Sequence, residues 1–305
     1  MNVKRILVPV DFSACSDRAV DFALFLAEGF EASITLIHAV VLFQQEPEEG
    51  DHLAAYKAMV KGREAEVRRR LGSSRKRAAG SVPVESVLVR GISAADTILD
   101  YQTENPHDMI VIGTHGERGL RKWVFGSVAE RVVRFSPIPV VTVHDLPDTL
   151  RMERILVPVD FSEASLAAVK RVHRLCERFD ASPVFLHVLE PPLYPAYFSG
   201  DVGSVLNLHV PPPDPALFAN RLREFVATVY PDPDTTVLEG RPYEEICRFA
   251  GERGCDAIFM ATRGLGGLEH FLLGSTAERV VRLAPVPVFT VVRHRGGRGP
   301  RDRST

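Results

Sequence analysis

The feature that most constrains this chain is an internal repeat with an interval of about 149 residues. Residues Arg5–Ser13 read Arg-Ile-Leu-Val-Pro-Val-Asp-Phe-Ser and recur without change as Arg154–Ser162. Near the end of each copy, Pro137–Val143 matches Pro285–Val291 in its proline spacing and its apolar run. Because the interval is the length of a whole domain, the repeat predicts two copies of one domain.

The two copies are placed at residues 1–146 and 151–293, joined near Leu146–Glu153. The full length of 305 residues suits two domains of ordinary size. Residues 294–305 carry several arginines and glycines without an apolar pattern, which predicts a disordered basic tail.

Composition restricts the class of protein. The formal net charge is −2, with 45% hydrophobic residues, which gives no indication of a nucleic-acid or membrane-surface binder. The start of the chain lacks the features of a signal peptide, and no apolar run reaches the roughly 20 residues of a membrane span. The four cysteines show neither CxxC nor metal-site spacing and are typical of a reducing compartment. These observations predict a cytoplasmic protein that binds neither nucleic acid nor a membrane.

Short apolar runs alternate with longer stretches of helical period in each copy. The runs lack polar alternation, as expected of strands that helices cover on both faces. Ser13 is predicted to cap the first helix, and Ser127–Phe135 to form the last. The order predicts an α/β fold with two tandem, doubly wound domains, each built on a five-stranded parallel sheet. The predicted strands of the first copy are Ile6–Val10, Ile34–Ala39, Val84–Val89, Met109–Gly113 and Val140–Val143.

A glycine-punctuated stretch follows the fourth strand. Two residues separate Gly113 from Gly116, and nine separate Gly116 from Gly126, which precedes Ser127. In an open parallel sheet, ligands bind beyond the carboxyl ends of the strands, and glycine allows positive φ and close approach of a ligand. The unpaired N–H groups that open the helix at Ser127 can hold phosphate. Asp11, just after the first strand, is placed to bond a ribose hydroxyl or a phosphate-bound metal, so the stretch predicts a nucleotide site.

The same residues also allow a purely structural interpretation. Ser127 with Glu130, and Ser275 with Glu278, have the spacing of a capping box, which requires no ligand. Asp11 has the position of a residue that closes the strand–helix turn. Under this alternative the chain is a tandem scaffold with vestigial loops.

The motif Gly-x2-Gly-x9-Gly-Ser, together with Val-Pro-Val-Asp-Phe-Ser, resembles the universal stress protein family in both halves. The resemblance implies a Rossmann-like sheet of the adenine nucleotide alpha hydrolase type that binds ATP with Mg²⁺. It implies backbone contacts to adenine, a ribose near the first strand and phosphates at the glycine loop. The implied contact residues of the first copy are Val10, Asp11, Ala39, Gly113, Gly116, Gly126, Ser127 and Val128.

The second copy departs from this motif at one position, because Ala261 replaces the first glycine. If that position needs positive φ or a close ribose, the methyl group costs roughly 1 kcal/mol or more. If its φ is negative, alanine is tolerated. We expect two sites, with the first one tighter. The corresponding residues of the second copy are Val159, Asp160, Val188, Gly264, Gly274, Ser275 and Thr276.

The sequence offers residues for binding but not for turnover. It lacks a Walker-type Gly-x4-Gly-Lys-Ser/Thr motif, and spacing shows no nucleophile–base grouping. Arg118, Arg121 and Lys122 lie in the nine-residue stretch, but phosphoryl transfer also needs a positioned attacking group. No catalytic residue is therefore predicted, and slow ATP hydrolysis is the alternative.

The resemblance also implies that two domains pair through their last strands. Val140–Val143 and Val288–Val291 are predicted to pair within the chain as an internal pseudo-dimer, with further homodimerisation open. We expect nucleotide to order Gln44–Asp51 and Gly113–Phe125, so that a protein partner reads the bound state. Pro191–Asp214 is the corresponding variable connection of the second copy.

Overall fold

The computed structural model of the protein describes residues 2–41, 51–78, 80, 82–114, 125–190, 214–262 and 273–291. Several predicted features lie outside these ranges: Gly116, Gly264, the cations at 118–122, most of the two variable connections and the tail at 294–305. In the second helix the side chains of residues 51–60, 63, 77 and 78 are likewise not described.

The described part of each half follows the same order of strands and helices. The first half comprises β1 Arg5–Pro9, α1 Ala14–Phe30, β2 Ser33–Val41, α2 Asp51–Ala78, β3 Val84–Gly91, α3 Ala94–Glu104, β4 Met109–Gly113, α4 Ser127–Phe135 and β5 Val140–Val143. The second comprises β6 Arg154–Pro158, α5 Glu163–Phe179, β7 Ser182–Leu189, α6 Pro215–Ala227, β8 Asp234–Glu239, α7 Pro242–Glu252, β9 Ala257–Ala261, α8 Ser275–Leu283 and β10 Val288–Val291.

All ten strands form one sheet with the order β3-β2-β1-β4-β5-β10-β9-β6-β7-β8. Pairing is parallel within each half and antiparallel only where β5 meets β10. The predicted doubly wound α/β fold and the predicted pairing of the last strands within the chain are therefore confirmed. The predicted bounds of β4, α4 and β5 agree with the structure, because glycines, prolines or a polar residue end those apolar runs.

The seam between β5 and β10 joins the halves. These two strands lie at the centre of the ten-stranded sheet, and each is the edge strand of its own half. Phe289 lies opposite Val141, and the hydroxyl of Thr290 donates to the carbonyl of Val140 at 2.9 Å. Every residue of both strands is buried. The pairing thus removes two apolar strand edges from solvent.

Alternate strand residues feed two apolar layers. In β1, Ile6 and Val8 face the layer under α1, α2, α5 and α6, whereas Leu7 faces the layer under α3, α4, α7 and α8. Both layers run across the seam, so the halves share their core. The connection between the halves is also packed, since Met152 is buried and Leu146 contacts the core.

A second contact joins the halves through α1 and α5. The ring of Phe179 lies 5.4 Å from those of Phe25 and Phe30, centroid to centroid, and leaves no room for a β-carbon at Gly29. Arg178 donates to the carbonyl of Gly29 and pairs with Glu31. The Arg178 guanidinium lowers the pKa of that carboxyl. Only glycine fits at this crossing.

Candidate functional site

The strand order of each half reverses between its first and fourth strands, at β1/β4 and at β6/β9. Ligands of doubly wound sheets bind beyond the carboxyl ends of the strands at such a reversal. In the first half the reversal gathers Asp11, Gly113 and the amino terminus of α4, as the sequence predicts. The second half gathers Asp160 and the amino terminus of α8 in the same way.

The amino terminus of α4 has no side-chain cap. Gly126 is the N-cap residue, with φ −67° and ψ 135°, and Ser127 is already the first helical residue. The capping-box interpretation of Ser127 and Glu130 was therefore wrong, because the serine lies one position too far into the helix. Glu130 instead bonds Arg134 at 2.9 Å, and Ser127 is exposed.

The first turn of α4 leaves three backbone donors for a ligand. The N–H of Gly126 donates to the carbonyl of Thr114 at 2.7 Å, and the N–H of Glu130 closes the first helical bond to Gly126. Between them, the N–H groups of Ser127, Val128 and Ala129 find no acceptor in the part of the chain that the structure describes. These groups lie at the positive end of the helix, which is the arrangement that favours an anion.

The second half repeats this helix start. Gly274 is the N-cap of α8, without a side-chain cap, and its N–H donates to the carbonyl of Thr262 at 2.8 Å. The capping-box interpretation of Ser275 with Glu278 fails for the same reason as in the first half. Ser275 is exposed and, with Thr276, contributes to the same set of backbone donors.

Each half has one buried threonine, Thr114 or Thr262, directly after its fourth strand. The sequence-based prediction did not include these residues. Thr114 and Thr262 accept the N-cap bonds just described, and their own N–H groups donate to Val143 and Val291 at 3.1 Å. These bonds hold Thr114 to Gly126 and Thr262 to Gly274, and they hold each threonine to the end of the last strand of its half. The available signal was the recurrence of threonine at the same place in both copies.

Gly113 is required by packing rather than by backbone conformation. Its φ lies outside the left-handed region, which the described glycines enter only at Gly240 and Gly254. A β-carbon at Gly113 would lie 2.8 Å from the carbonyl oxygen of Cys15 and 2.9 Å from its carbonyl carbon. Of the alternatives that the sequence left open for this position, positive φ is therefore excluded.

Ala261 occupies the same place in the second half, also without positive φ. The residue that corresponds to Cys15 there is Ala164. The end of β9 accommodates the methyl group at an allowed backbone conformation, so the strain considered for this alanine does not arise.

Asp11 performs the structural role that the sequence left open. Its Oδ1 accepts a hydrogen bond from the N–H of Ser13 at 3.0 Å, and Asp160 does the same for Ser162. Each carboxylate thus closes the turn from strand to helix, and Ser13 caps α1 as predicted. A contact from either carboxylate to ribose or metal stays a prediction.

Phe12, directly after Asp11, adopts the left-handed backbone region with φ 66°. This conformation costs a bulky residue on the order of 1–2 kcal/mol. Two side chains hold the ring: His38 stacks on it at 4.9 Å, and the Arg70 guanidinium lies 4.4 Å from its centroid. His38 also donates from Nδ1 to the carbonyl of Val10 at 2.7 Å, because a carbonyl can only accept.

The second half contains the same group. Phe161 has φ 62°, with His187 at 4.4 Å and the Arg221 guanidinium at 4.3 Å from its ring centroid. His187 donates to the carbonyl of Val159 at 2.7 Å, and burial lowers its pKa. Phe218 adds a parallel ring on His187 at 5.5 Å. Both copies thus place a histidine and an arginine on a strained phenylalanine beside the crevice.

The last residues of β2 lie beyond the carboxyl end of the neighbouring strand β1. The N–H of Val10 donates to Ile37 at 2.8 Å, whereas β2 continues to Val41. Ala39 is two residues beyond Ile37, so its N–H and C=O point to the same side, past the end of β1. Because the structure already uses both backbone groups of Val10, Ala39 is the better candidate for a base contact. In the second half Val159 and Val188 have the same relation.

Neither a metal cluster nor a membrane span is found within the described ranges. There, no three His, Cys, Asp or Glu side chains come close enough together to hold a metal ion. No described helix has both the length and the apolar composition needed to cross a bilayer.

Comparison with known proteins matches both halves of the chain to the same family. The sequence model of the universal stress protein family matches residues 2–144 and again residues 152–292. A universal stress protein of Methanocaldococcus jannaschii is 33% identical over 142 residues, which is 46% of this chain and 81% of the relative. One of Mycolicibacterium smegmatis is 27% identical over 303 residues, covering 94% of this chain and 96% of the relative.

Among solved structures, a universal stress protein from Archaeoglobus fulgidus superposes with a TM-score of 0.68. The superposition covers 96% of this chain and 100% of the other at 22% sequence identity. At this identity the likeness shows a shared fold.

Proposed function

Because the chain belongs to the universal stress protein family in both halves, we propose that it binds ATP at the carboxyl edge of each half. The observation that carries this proposal is the pair of helix starts at α4 and α8. Each begins with a glycine N-cap and leaves three N–H donors at the strand-order reversal. A serine N-cap would have satisfied one of these donors with its own hydroxyl, whereas a glycine N-cap has no side chain to do so.

The adenine end of the proposed site is the end of β2 and of β7. Ala39 and Val188 direct backbone N–H and C=O groups past the neighbouring strand, which is the pairing that an adenine edge requires. Asp11 and Asp160 lie between this end and the helix starts, at the level proposed for ribose. The residues Gly113 and Val128 complete the wall of the first site.

Mg²⁺ is proposed to accompany the phosphates rather than to occupy a protein cage. The described residues offer isolated carboxylates at the crevices, and Asp11 and Asp160 already accept turn bonds there. Magnesium commonly binds through phosphate oxygens, water and one or two carboxylates, which fits this supply.

We propose a binding protein with at most slow hydrolysis. The site supplies backbone N–H donors and carboxylates that close the strand–helix turns. Hydrolysis also requires a group that positions the attacking water. The proposed role is a nucleotide-responsive stress or signalling protein, read by a protein partner. A cytoplasmic location accords with four free thiols.

The direct test is to denature the purified full chain and identify any released nucleotide by chromatography and mass. Two functional sites predict about two ATP per chain, and one functional site predicts about one. Absence of nucleotide, together with no shift in Tm on addition of ATP and magnesium, would refute the proposal and favour the scaffold alternative.

A further inference from the structure

The outer face of α2 carries a row of cations. Lys61, Arg68 and Arg75 are seven residues apart, so they fall within about 40° of one another around the helix. Arg69 and Lys76 flank this row, and all five side chains are exposed. These five residues are called the α2 basic face.

Most of this charge is not neutralised within the described part of the chain. On the α2 basic face, only Arg69 forms an ion pair there, with Glu66 at 2.6 Å. The other described acidic residue near the row, Glu64, is buried and held by Arg90 of β3 at 2.9 Å. Lys61, Arg68, Arg75 and Lys76 therefore present about four positive charges along roughly 21 Å of helix.

Small residues separate the cations. Ala65 and Gly72 lie between the basic side chains, and a β-carbon at Gly62 or Gly72 would meet no atom within 4 Å. Packing inside the chain thus does not require either glycine, although glycine weakens a helix relative to alanine. The surface between the cations is open to close approach by another backbone.

The second half lacks such a face. The corresponding helix, α6, exposes Leu217, Asn220 and Glu224 among its cations, and Leu217 is 64% exposed. Since both halves share the fold, the fold does not require the basic row.

We propose that the α2 basic face binds an acidic α-helix of a partner protein, with carboxylates seven residues apart. A helix repeats its surface about every seven residues, so the carboxylate spacing matches that of Lys61, Arg68 and Arg75, about 10 Å per step. A nucleic acid would extend beyond this single row of cations, and it would then meet a chain whose formal net charge is −2. The proposal does not depend on ATP binding.

The probe is a labelled, alanine-rich helical peptide with glutamates at seven-residue intervals, titrated with the full chain and followed by fluorescence anisotropy. Its control has the same composition with the glutamates distributed around the helix. Arg68→Gln/Arg75→Gln should weaken binding of the spaced peptide roughly two- to thirtyfold, the loss expected of two exposed ion pairs. Binding should weaken with salt.

Two variants separate charge at this face from other effects. Lys170→Gln/Arg174→Gln removes the same charge from exposed positions of α5 and should leave the affinity unchanged. Arg68→Lys/Arg75→Lys keeps the charge and should retain binding, so a defect confined to the glutamine variant is not a loss of helix. Equal affinity for both peptides, or equal loss in the α5 variant, would overturn the proposal. Tighter binding of duplex DNA or phosphatidylserine vesicles than of the spaced peptide would also overturn it.

Discussion

The β-carbon that Gly113 lacks would lie 2.8 Å from the carbonyl oxygen of Cys15. That distance ties the end of β4 to the first turn of α1, directly beneath the proposed site. Since a main-chain carbonyl cannot rotate away as a flexible side chain can, a methyl group at Gly113 requires the end of β4 or the first turn of α1 to shift.

Gly113→Ala is accordingly expected to lower the free energy of unfolding by roughly 1–3 kcal/mol, as overpacking does. The matched change, Ala261→Gly, should cost no more than about 1 kcal/mol, because it adds only backbone freedom. Urea unfolding of both variants, followed by circular dichroism, makes the comparison. Equal losses would contradict the assignment of the clash to Cys15.

Ser127→Pro tests the backbone donors of α4 without dismantling the helix. Proline is favoured at the first helical position, and Gly126 already has the extended conformation that proline requires of its predecessor. The change removes one N–H, so ATP affinity should fall by about 1.5–3 kcal/mol in calorimetry.

Ser127→Ala is the control for the lost hydroxyl, and Ser275→Pro applies the same test to the second half. At an ATP concentration that saturates the intact sites but lies below the Kd of the weakened site, each proline variant should bind about half as much nucleotide as the wild type, while Tm of the free protein changes little. Unchanged affinity in both would mean that phosphate does not meet these helix starts.

Stability should decrease in mild acid partly because of His187. Burial lowers its pKa in the folded state, whereas in the unfolded chain it titrates near 6.5. Above about pH 6.5 both states hold it neutral, and the stability is fully present. Below that value the unfolded chain takes up the proton first, so stability falls as pH approaches the lower folded-state pKa.

The measurement is the urea midpoint across this pH range for the wild type and His187→Asn, whose amide keeps a donor for Val159. The variant should show the shallower dependence on pH. Parallel curves would exclude His187 as a contributor to the pH dependence of stability.

Gly29 and Gly62 both lie inside helices but should respond in opposite directions to alanine. At Gly29 the ring of Phe179 occupies the space, so Gly29→Ala should destabilise the chain by roughly 1–3 kcal/mol. At Gly62 the space is open, so Gly62→Ala should stabilise it by about 0.5–1 kcal/mol. Thermal unfolding distinguishes the two signs. A Gly29→Ala chain as stable as the wild type would contradict the packing at the crossing of α1 and α5, and a destabilised Gly62→Ala chain would contradict the open space at Gly62.

Local patterns were sufficient for the elements of this fold. The apolar run that ends at Gly113 and the run after Pro139 give β4 and β5 with their observed bounds, because the residues that end them are adjacent in sequence. The seam was implied by the family resemblance, and the similar last strands Val140–Val143 and Val288–Val291 do pair antiparallel.

What sequence could not supply was contact between distant residues. The left-handed conformation of Phe12 depends on His38 and Arg70, which reach it only after the sheet and α2 have formed. The capping box failed because a spacing of three residues does not say which residue starts the helix. Gly113 was singled out as a nucleotide contact, which stays a prediction. The close approach of Cys15 to this glycine joins residues far apart in sequence, so no local pattern could have shown it.

The antiparallel seam has a geometric consequence for the two proposed sites. Strands of the first half point their carboxyl ends to one edge of the ten-stranded sheet, and those of the second half point to the opposite edge. The mouths of the two crevices therefore open at opposite edges of one continuous sheet. Ligands of the two proposed sites would enter from opposite sides of the molecule, so occupation of one mouth would not block the other.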